Sequence, residues 1–346
     1  MDTSNENRRA DRIILPVQYP FITTYTQHAH LLSILSCYEC TYPWIYSNYI
    51  QLYINKDYCH DWGDFYFPLP YELRPSDTCK WIHSQKIDRS IAESKWGSII
   101  DFIADFISSD NYVHLMINYF HVPQSMSYQK DNTIHDVLVY GYDLSKETIY
   151  FSDFLNSRKY SFEEISFTDF INAFTSYKQR TNDDYLKGII YLYRFDSECD
   201  YEFNINNILN SIKAYLSDAA PEYWDFYNME NKRNIDFGTK VYRSLGNYVR
   251  RMVDNGLQIN IRPFYLLYDH KKLMLLRLKF LHGLKSFTNA DNNLICMENI
   301  EKQAKNLVNM TIKYNISGNK ALADKILNLL NDVKKCEYEI LRQYID

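Results

Sequence analysis

His135 opens an apolar, β-branched run, Ile134-His135-Asp136-Val137-Leu138-Val139-Tyr140, that reads as a buried strand broken by Gly141 and Asp143. A second short strand, Ile149-Tyr150-Phe151-Ser152-Asp153-Phe154, follows and ends near Asp153. Paired antiparallel, the two strands bring an imidazole near the start of one beside a carboxylate near the end of the other. A carboxylate in that position fixes the imidazole tautomer, so that the remaining ring nitrogen acts as a general base. The base needs a nucleophile to serve. A cysteine at a helix N-terminus suits the role, because the dipole and a nearby imidazole lower its pKa. Gln27, at the start of an apolar helical stretch that runs to Ser36, is placed to donate to an oxyanion. A histidine at a strand edge that is merely hydrogen-bonded is the alternative reading of His135; the Gly-Tyr-Asp segment and the spaced Asp153 favour the catalytic one.

Other chemistries find less support. The 346 residues contain only nine glycines, with neither a Gly-rich phosphate loop nor a Gly-x-Ser-x-Gly elbow. Cys37 and Cys40 have C-x-x-C spacing, but the next pair, Cys59-His60, is adjacent and poorly shaped for one tetrahedral ion. His28, His30, His114 and His121 form no ligand motif. No metal or other cofactor is therefore expected. A net charge of −5 without a dense basic cluster among the aromatics argues against nucleic acid. No apolar run reaches bilayer length and the N-terminus is polar, so the reading is a cytoplasmic protein with no membrane partner. Seven cysteines scattered along the chain point to reduced thiols rather than a disulfide framework.

The elements that must position these residues follow from periodicity. Residues 1–12 read as a disordered tail and 13–200 as an α+β domain. Within it a helix begins after Thr26 as N-cap, and the aromatic stretch Trp44–Tyr53 covers that helix. Residues 57–77 are loop-like, and Trp96–Ser108 is helical. Strands come from Tyr112–Ile117, from the two runs above and from Gly188–Tyr193, with a helix at Thr168–Tyr177 before the last. Residues 201–346 form an α-helical domain, with long helices at Phe237–Val253, Pro263–Leu284, Leu294–Tyr314 and Asn319–Tyr344. In the last, Leu322, Ile326, Leu329, Val333, Cys336 and Ile340 recur at steps of three and four. His270, sharing a helix face with Leu266, Leu273, Met274 and Arg277, reads as a satisfied core histidine.

Three segments carry a family resemblance: Tyr112-Val113-His114-Leu115-Met116-Ile117-Asn118-Tyr119 with Pro123, then His135 to Asp143, then Asp153-Phe154. They resemble the N-terminal domain of the butirosin biosynthesis protein H family, a papain-like group near the double-glycine leader peptidases. Arg262-Pro263-Phe264 and Asp269-His270-Lys271 look like the C-terminal part of such proteins. The resemblance implies a papain-like α+β domain followed by the helical one. It also implies transfer of an acyl or peptidyl group from a carrier-protein thioester to an amine, as in nonribosomal peptide, polyketide and antibiotic biosynthesis. The partners would be an acyl or peptidyl carrier protein and a small amine acceptor. Arg243, Arg250 and Arg251 would meet the acidic carrier surface.

On this pattern His135 is the base, Asp153 its orienter, and Ala29 occupies the position where the family carries its nucleophilic cysteine. Cys37 and Cys40 fall about 10 Å or more along the helix at roughly 1.5 Å per residue. Cys79, in a loop, is the other nucleophile candidate. Alternative readings are a thioesterase or cysteine-peptidase-like hydrolase, and a catalytically silent homologue that binds a carrier or peptide.

Overall fold

The structure, a computed structural model, describes residues 10–59, 61–66, 74–155, 159–177, 185–219, 234–284 and 290–345. Helices and antiparallel sheets are divided between two compact units. One comprises the described residues of Met1–Glu39 and Arg74–Asp200, the other those of Cys40–Leu73 and Tyr201–Asp346. The segment from Cys40, predicted to belong to the first domain, therefore groups with the second. Elements are numbered along the whole chain.

The first unit contains β1 (Arg12–Ile14), α1 (Thr26–Leu35), α3 (Pro75–Thr78), β4 (Ile82–Asp88), α4 (Arg89–Lys95), α5 (Ile99–Ile107) and β5 (Asn111–Asn118). It continues with β6 (Ile134–Asp143), β7 (Thr148–Phe154), β8 (Tyr160–Ser166), α6 (Phe167–Thr175) and β9 (Ile189–Phe195). One sheet takes the order β4-β9-β5-β6-β7-β8, and β1 adds to β6. Every pairing in it is antiparallel. Each residue of β5 is buried, which is why that strand reads as a continuous apolar run rather than an alternating one. The Ser98 side chain accepts from the N–H groups of Ile100 and Asp101, so α5 starts one turn later than the apolar spacing from Trp96 suggests.

Two features differ from the sequence reading for clear reasons. Gly141 does not end β6; the strand runs on to Asp143, with a register shift against β7 between Val139 and Gly141. A Cβ at Gly141 would lie 2.6 Å from the Ile13 carbonyl oxygen, so the glycine is what lets β1 approach. Arg12, placed in the predicted disordered tail, begins β1 and faces Asp143 across the pair. Residues 1–9 of that tail lie outside the described residues.

The second unit contains α2 (Tyr42–Ser47), β2 (Gln51–Asn55), β3 (Gly63–Tyr66), α7 (Ile205–Leu216), β10 (Ile235–Phe237), α8 (Val241–Asp254), α9 (Arg262–Gly283), α10 (Ala290–Ser317) and α11 (Lys320–Arg342). The aromatic stretch predicted to cover the first helix is instead α2 and β2, and β2 is the middle strand of a small sheet, β10-β2-β3. The predicted helix from Phe237 gives way to the end of β10 and starts properly at Val241. Gly238, at φ +59°, stands between them, and a Cβ there would collide with the Tyr215 carbonyl oxygen at 2.1 Å. Gly318, at φ +64°, separates α10 from α11.

This unit buries a full ionic network. Lys271 Nζ donates to Glu337 Oε1 at 2.6 Å, to His270 Nδ1 at 2.8 Å and to the Tyr215 hydroxyl at 3.1 Å. The Tyr215 and Tyr242 hydroxyls donate to Glu337 Oε2 at 3.0 and 2.8 Å. His270 Nε2 donates to the Ile50 carbonyl at 2.7 Å, so the core-histidine reading of this residue holds. Burial, reinforced by the neighbouring Lys271, keeps its imidazole well below the ordinary histidine range and hence neutral. Removing one member of such a pair strands its partner's charge in a low-dielectric interior. Glu337→Ala is expected to lower stability by about 3–5 kcal/mol in urea unfolding; a loss under about 1 kcal/mol would contradict this role.

Candidate active site

The start of β6 brings His135 against Asp153 of β7. His135 Nδ1 lies 2.7 Å from Asp153 Oδ2, and the Tyr119 hydroxyl also donates to that oxygen. Asp153 is fully buried, whereas the His135 side chain is 36% exposed. Burial pushes the Asp153 carboxyl well above the ordinary carboxylate range, and the Phe154 N–H pulls it the other way. A carboxylate so poorly solvated gains most from the imidazole N–H directed at it. With its proton on Nδ1 and directed at Asp153, the imidazole would leave Nε2 as the nitrogen able to accept one. The ring is further stacked on Tyr119, with centroids 5.1 Å apart.

Strand alternation sends the next residue, Asp136, into a second cluster. His114 Nε2 contacts Asp136 Oδ2 at 2.8 Å, and His30 Nε2 approaches the same oxygen at 3.3 Å. The Thr26 hydroxyl donates to Asp136 Oδ1 at 3.0 Å, and the Tyr185 hydroxyl donates to Oδ2. Burial favours the neutral acid, but the hydrogen bond from His114 and the His30 imidazole close by outweigh it and hold the Asp136 carboxyl well below its ordinary range. Burial brings the His114 imidazole down to about 4 against the opposing pull of Asp136, so it is neutral at physiological pH. The two clusters meet where His135 Nδ1 comes 3.6 Å from Asp136 Oδ1.

The remaining predicted site residues are less well placed for chemistry. Thr26 is not the N-cap of α1; Tyr25 precedes the helix without a side-chain cap, and the Thr26 hydroxyl is committed to Asp136. Gln27 lies in the first turn, half-buried. Ala29 is fully buried in the same turn and presents only a methyl group. Cys37 sits beyond the end of α1 with its thiol on the Ser33 carbonyl at 3.5 Å, and burial pushes it up to about 11. Cys79 follows α3, is buried, and is pushed by that burial up to about 12. Among the described residues no hydrogen bond joins either thiol to His135. Burial thus opposes the thiolate that a nucleophile requires. All seven cysteines are free thiols. Of the spaced zinc candidates, Cys37 and Cys40 fall in different units, and His60 lies outside the described residues.

Sequence reasoning singled out neither Tyr119 nor the His30–His114–Asp136 cluster. The cluster's members come from α1, β5 and β6, and only sheet formation and helix packing make them neighbours. Comparison of the sequence with protein-family models and with curated proteins finds no match. No helix among the described residues is long and apolar enough to cross a membrane.

Thiol chemistry separates the cysteines. Iodoacetamide at pH 8 is expected to alkylate exposed Cys40, Cys59, Cys296 and Cys336 well before Cys79. Peptide mass mapping that finds Cys79 labelled first would restore it as an activated nucleophile.

Proposed function

We propose that the first unit is an acyl-transfer domain in which the His135–Asp153 dyad acts as general base on the acceptor itself. The supporting observation is the 2.7 Å contact between a buried carboxylate and a partly exposed imidazole. The helix start, the histidine-bearing strand and the aspartate on the next strand follow the papain-like order that the sequence resemblance implies. With Ala29 at the nucleophile position, the reaction that fits is direct rather than through an acyl-enzyme. An acceptor amine attacks the carbonyl carbon of a carrier-borne thioester, and the C–S bond breaks. His135 Nε2 takes the proton from the attacking nitrogen and delivers it to the departing thiolate.

The carrier protein would be recognised by charge. In the second unit, Lys56, Lys240 and Arg243 line a cleft of about 250 Å³ together with Asp218 and Asp236. Arg243, Arg250 and Lys334 line a smaller one of about 110 Å³. Arg251 is partly engaged, donating to the Tyr58 carbonyl at 3.3 Å. Guanidinium and ammonium groups spread over one helix and its neighbours suit an acidic partner and speed its encounter.

The test uses an acyl-pantetheine thioester, free or on a carrier protein, with a panel of primary amines. Thiol release is followed optically and the product by mass. Amide formation that falls about 10²–10⁴-fold in His135→Ala supports the proposal. Free acid without amide assigns the same dyad to hydrolysis. Thiol release no faster than the uncatalysed background, or equal in His135→Ala, leaves a binding module and overturns it.

A further inference from the structure

We propose that His30, His114 and Asp136 form a binding site for a divalent transition-metal ion. Each offers one ligand atom, and the three atoms lie within 4.8 Å of one another. They converge from three separate elements, α1, β5 and β6, in an interior where all three side chains are almost wholly buried. Two neutral imidazoles and one carboxylate form a donor set used for zinc and for non-haem iron, leaving coordination positions open.

The surroundings are built as a ligand-orienting shell. His30 Nδ1 is held by the Tyr160 hydroxyl at 2.9 Å, and His114 Nδ1 by the Tyr193 hydroxyl at 3.0 Å. Both rings are thereby turned so that Nε2 faces Asp136, the second-shell arrangement that fixes metal-binding histidines. A hydroxyl can donate to an imidazole nitrogen or accept from its N–H. Tyr160 has a further partner in Ser152 Oγ at 2.8 Å, and Tyr193 in Ser76 Oγ at 3.4 Å. His30 can therefore shift its proton to Nδ1 and present a bare Nε2 while Tyr160 donates to a serine oxygen. The same shift at His114 requires the Ser76 hydroxyl, which donates to Tyr193, to turn and accept instead.

His30 supplies the second observation. Its Nε2 is buried and makes no well-aligned hydrogen bond, although Asp136 Oδ2 lies 3.3 Å away. A nitrogen so placed is unusual in a packed interior and is satisfied once it ligates an ion. Ligand atoms around a tetrahedral ion with bonds of about 2.0–2.1 Å stand about 3.3 Å apart. The two histidine-to-Asp136 separations, 2.8 and 3.3 Å, lie within about half an ångström of that spacing, and the two histidine ligand atoms are within 4.8 Å of each other. Tyr185, 40% exposed and with its hydroxyl on Asp136, marks the side from which an ion would arrive.

The experiment titrates the chelator-treated full chain with Co²⁺, whose absorption reports its ligands. One ion per chain is expected, with visible d–d bands but no thiolate charge-transfer band. Binding should survive conversion of Cys37 and Cys40 to serine and be lost in His114→Gln and His30→Gln. Tyr160→Phe and Tyr193→Phe should each weaken it about 10–100-fold, the usual effect of removing an outer-shell partner. Should the histidine variants fail to fold, X-ray absorption of the wild-type Co²⁺ form decides, with two imidazoles and no sulfur in the first shell. No bound Co²⁺ at neutral pH, or a first shell containing sulfur, would overturn the proposal.

Discussion

Two carboxylates buried on neighbouring strands set the terms for the first unit. Asp136 and Asp153 sit near the middle of an antiparallel sheet, where an isolated charge would cost several kcal/mol after relaxation. Each is tolerable only with donors directed at it. Asp153 has His135 and Tyr119. Asp136 has His114, Thr26 and Tyr185, with His30 close by. Those requirements fix the rotation of α1 and the pairing of β5 with β6 more narrowly than apolar packing alone, because misplaced donors would leave a charge exposed to hydrocarbon. The proposed chemistry and the specification of the fold thus rest on the same pairs.

The second unit solves a comparable problem differently. Its buried pair, Lys271 and Glu337, is closed off by two tyrosines and a neutral histidine, with no exposed member. Arg277, also fully buried, has no carboxylate partner among the described residues; it donates instead to the carbonyl oxygens of Tyr46 and Asn48 at 2.6 and 2.7 Å. Burial brings this guanidinium down to about 9. These groups tie the segment around α2 to α9, which explains why the segment from Cys40 groups with the later helices rather than with the sheet strands that follow it in sequence.

Much of this was legible where burial is one-sided or complete. The β-branched runs announced β5, β6, β7 and β9, and the steps of three and four announced α5, α6 and the long helices α9, α10 and α11. The edge strands were not visible. Ile82-His83-Ser84-Gln85-Lys86-Ile87-Asp88 and Tyr160-Ser161-Phe162-Glu163-Glu164-Ile165-Ser166 carry polar residues on their open sides, as edge strands do, so their patterns resemble loops. The His135–Asp153 pair was readable because both residues lie on consecutive strands of one hairpin. His30, His114 and Asp136 were not, since their meeting depends on long-range packing that no local spacing records. Thr26 misled for a related reason: a threonine before an apolar helix signals a cap, but a buried carboxylate competes for its hydroxyl and wins.

The central claim is that Asp153 fixes the tautomer of His135 and frees Nε2 as a base. Nitrogen-15 NMR of the imidazole groups, with Asp153→Asn as the comparison, reads this directly. The account predicts that His135 in the wild type carries its proton on Nδ1, hydrogen-bonded and slow to exchange, and loses that preference in Asp153→Asn. A proton on Nε2, or a ring averaging freely between tautomers in the wild type, would contradict it.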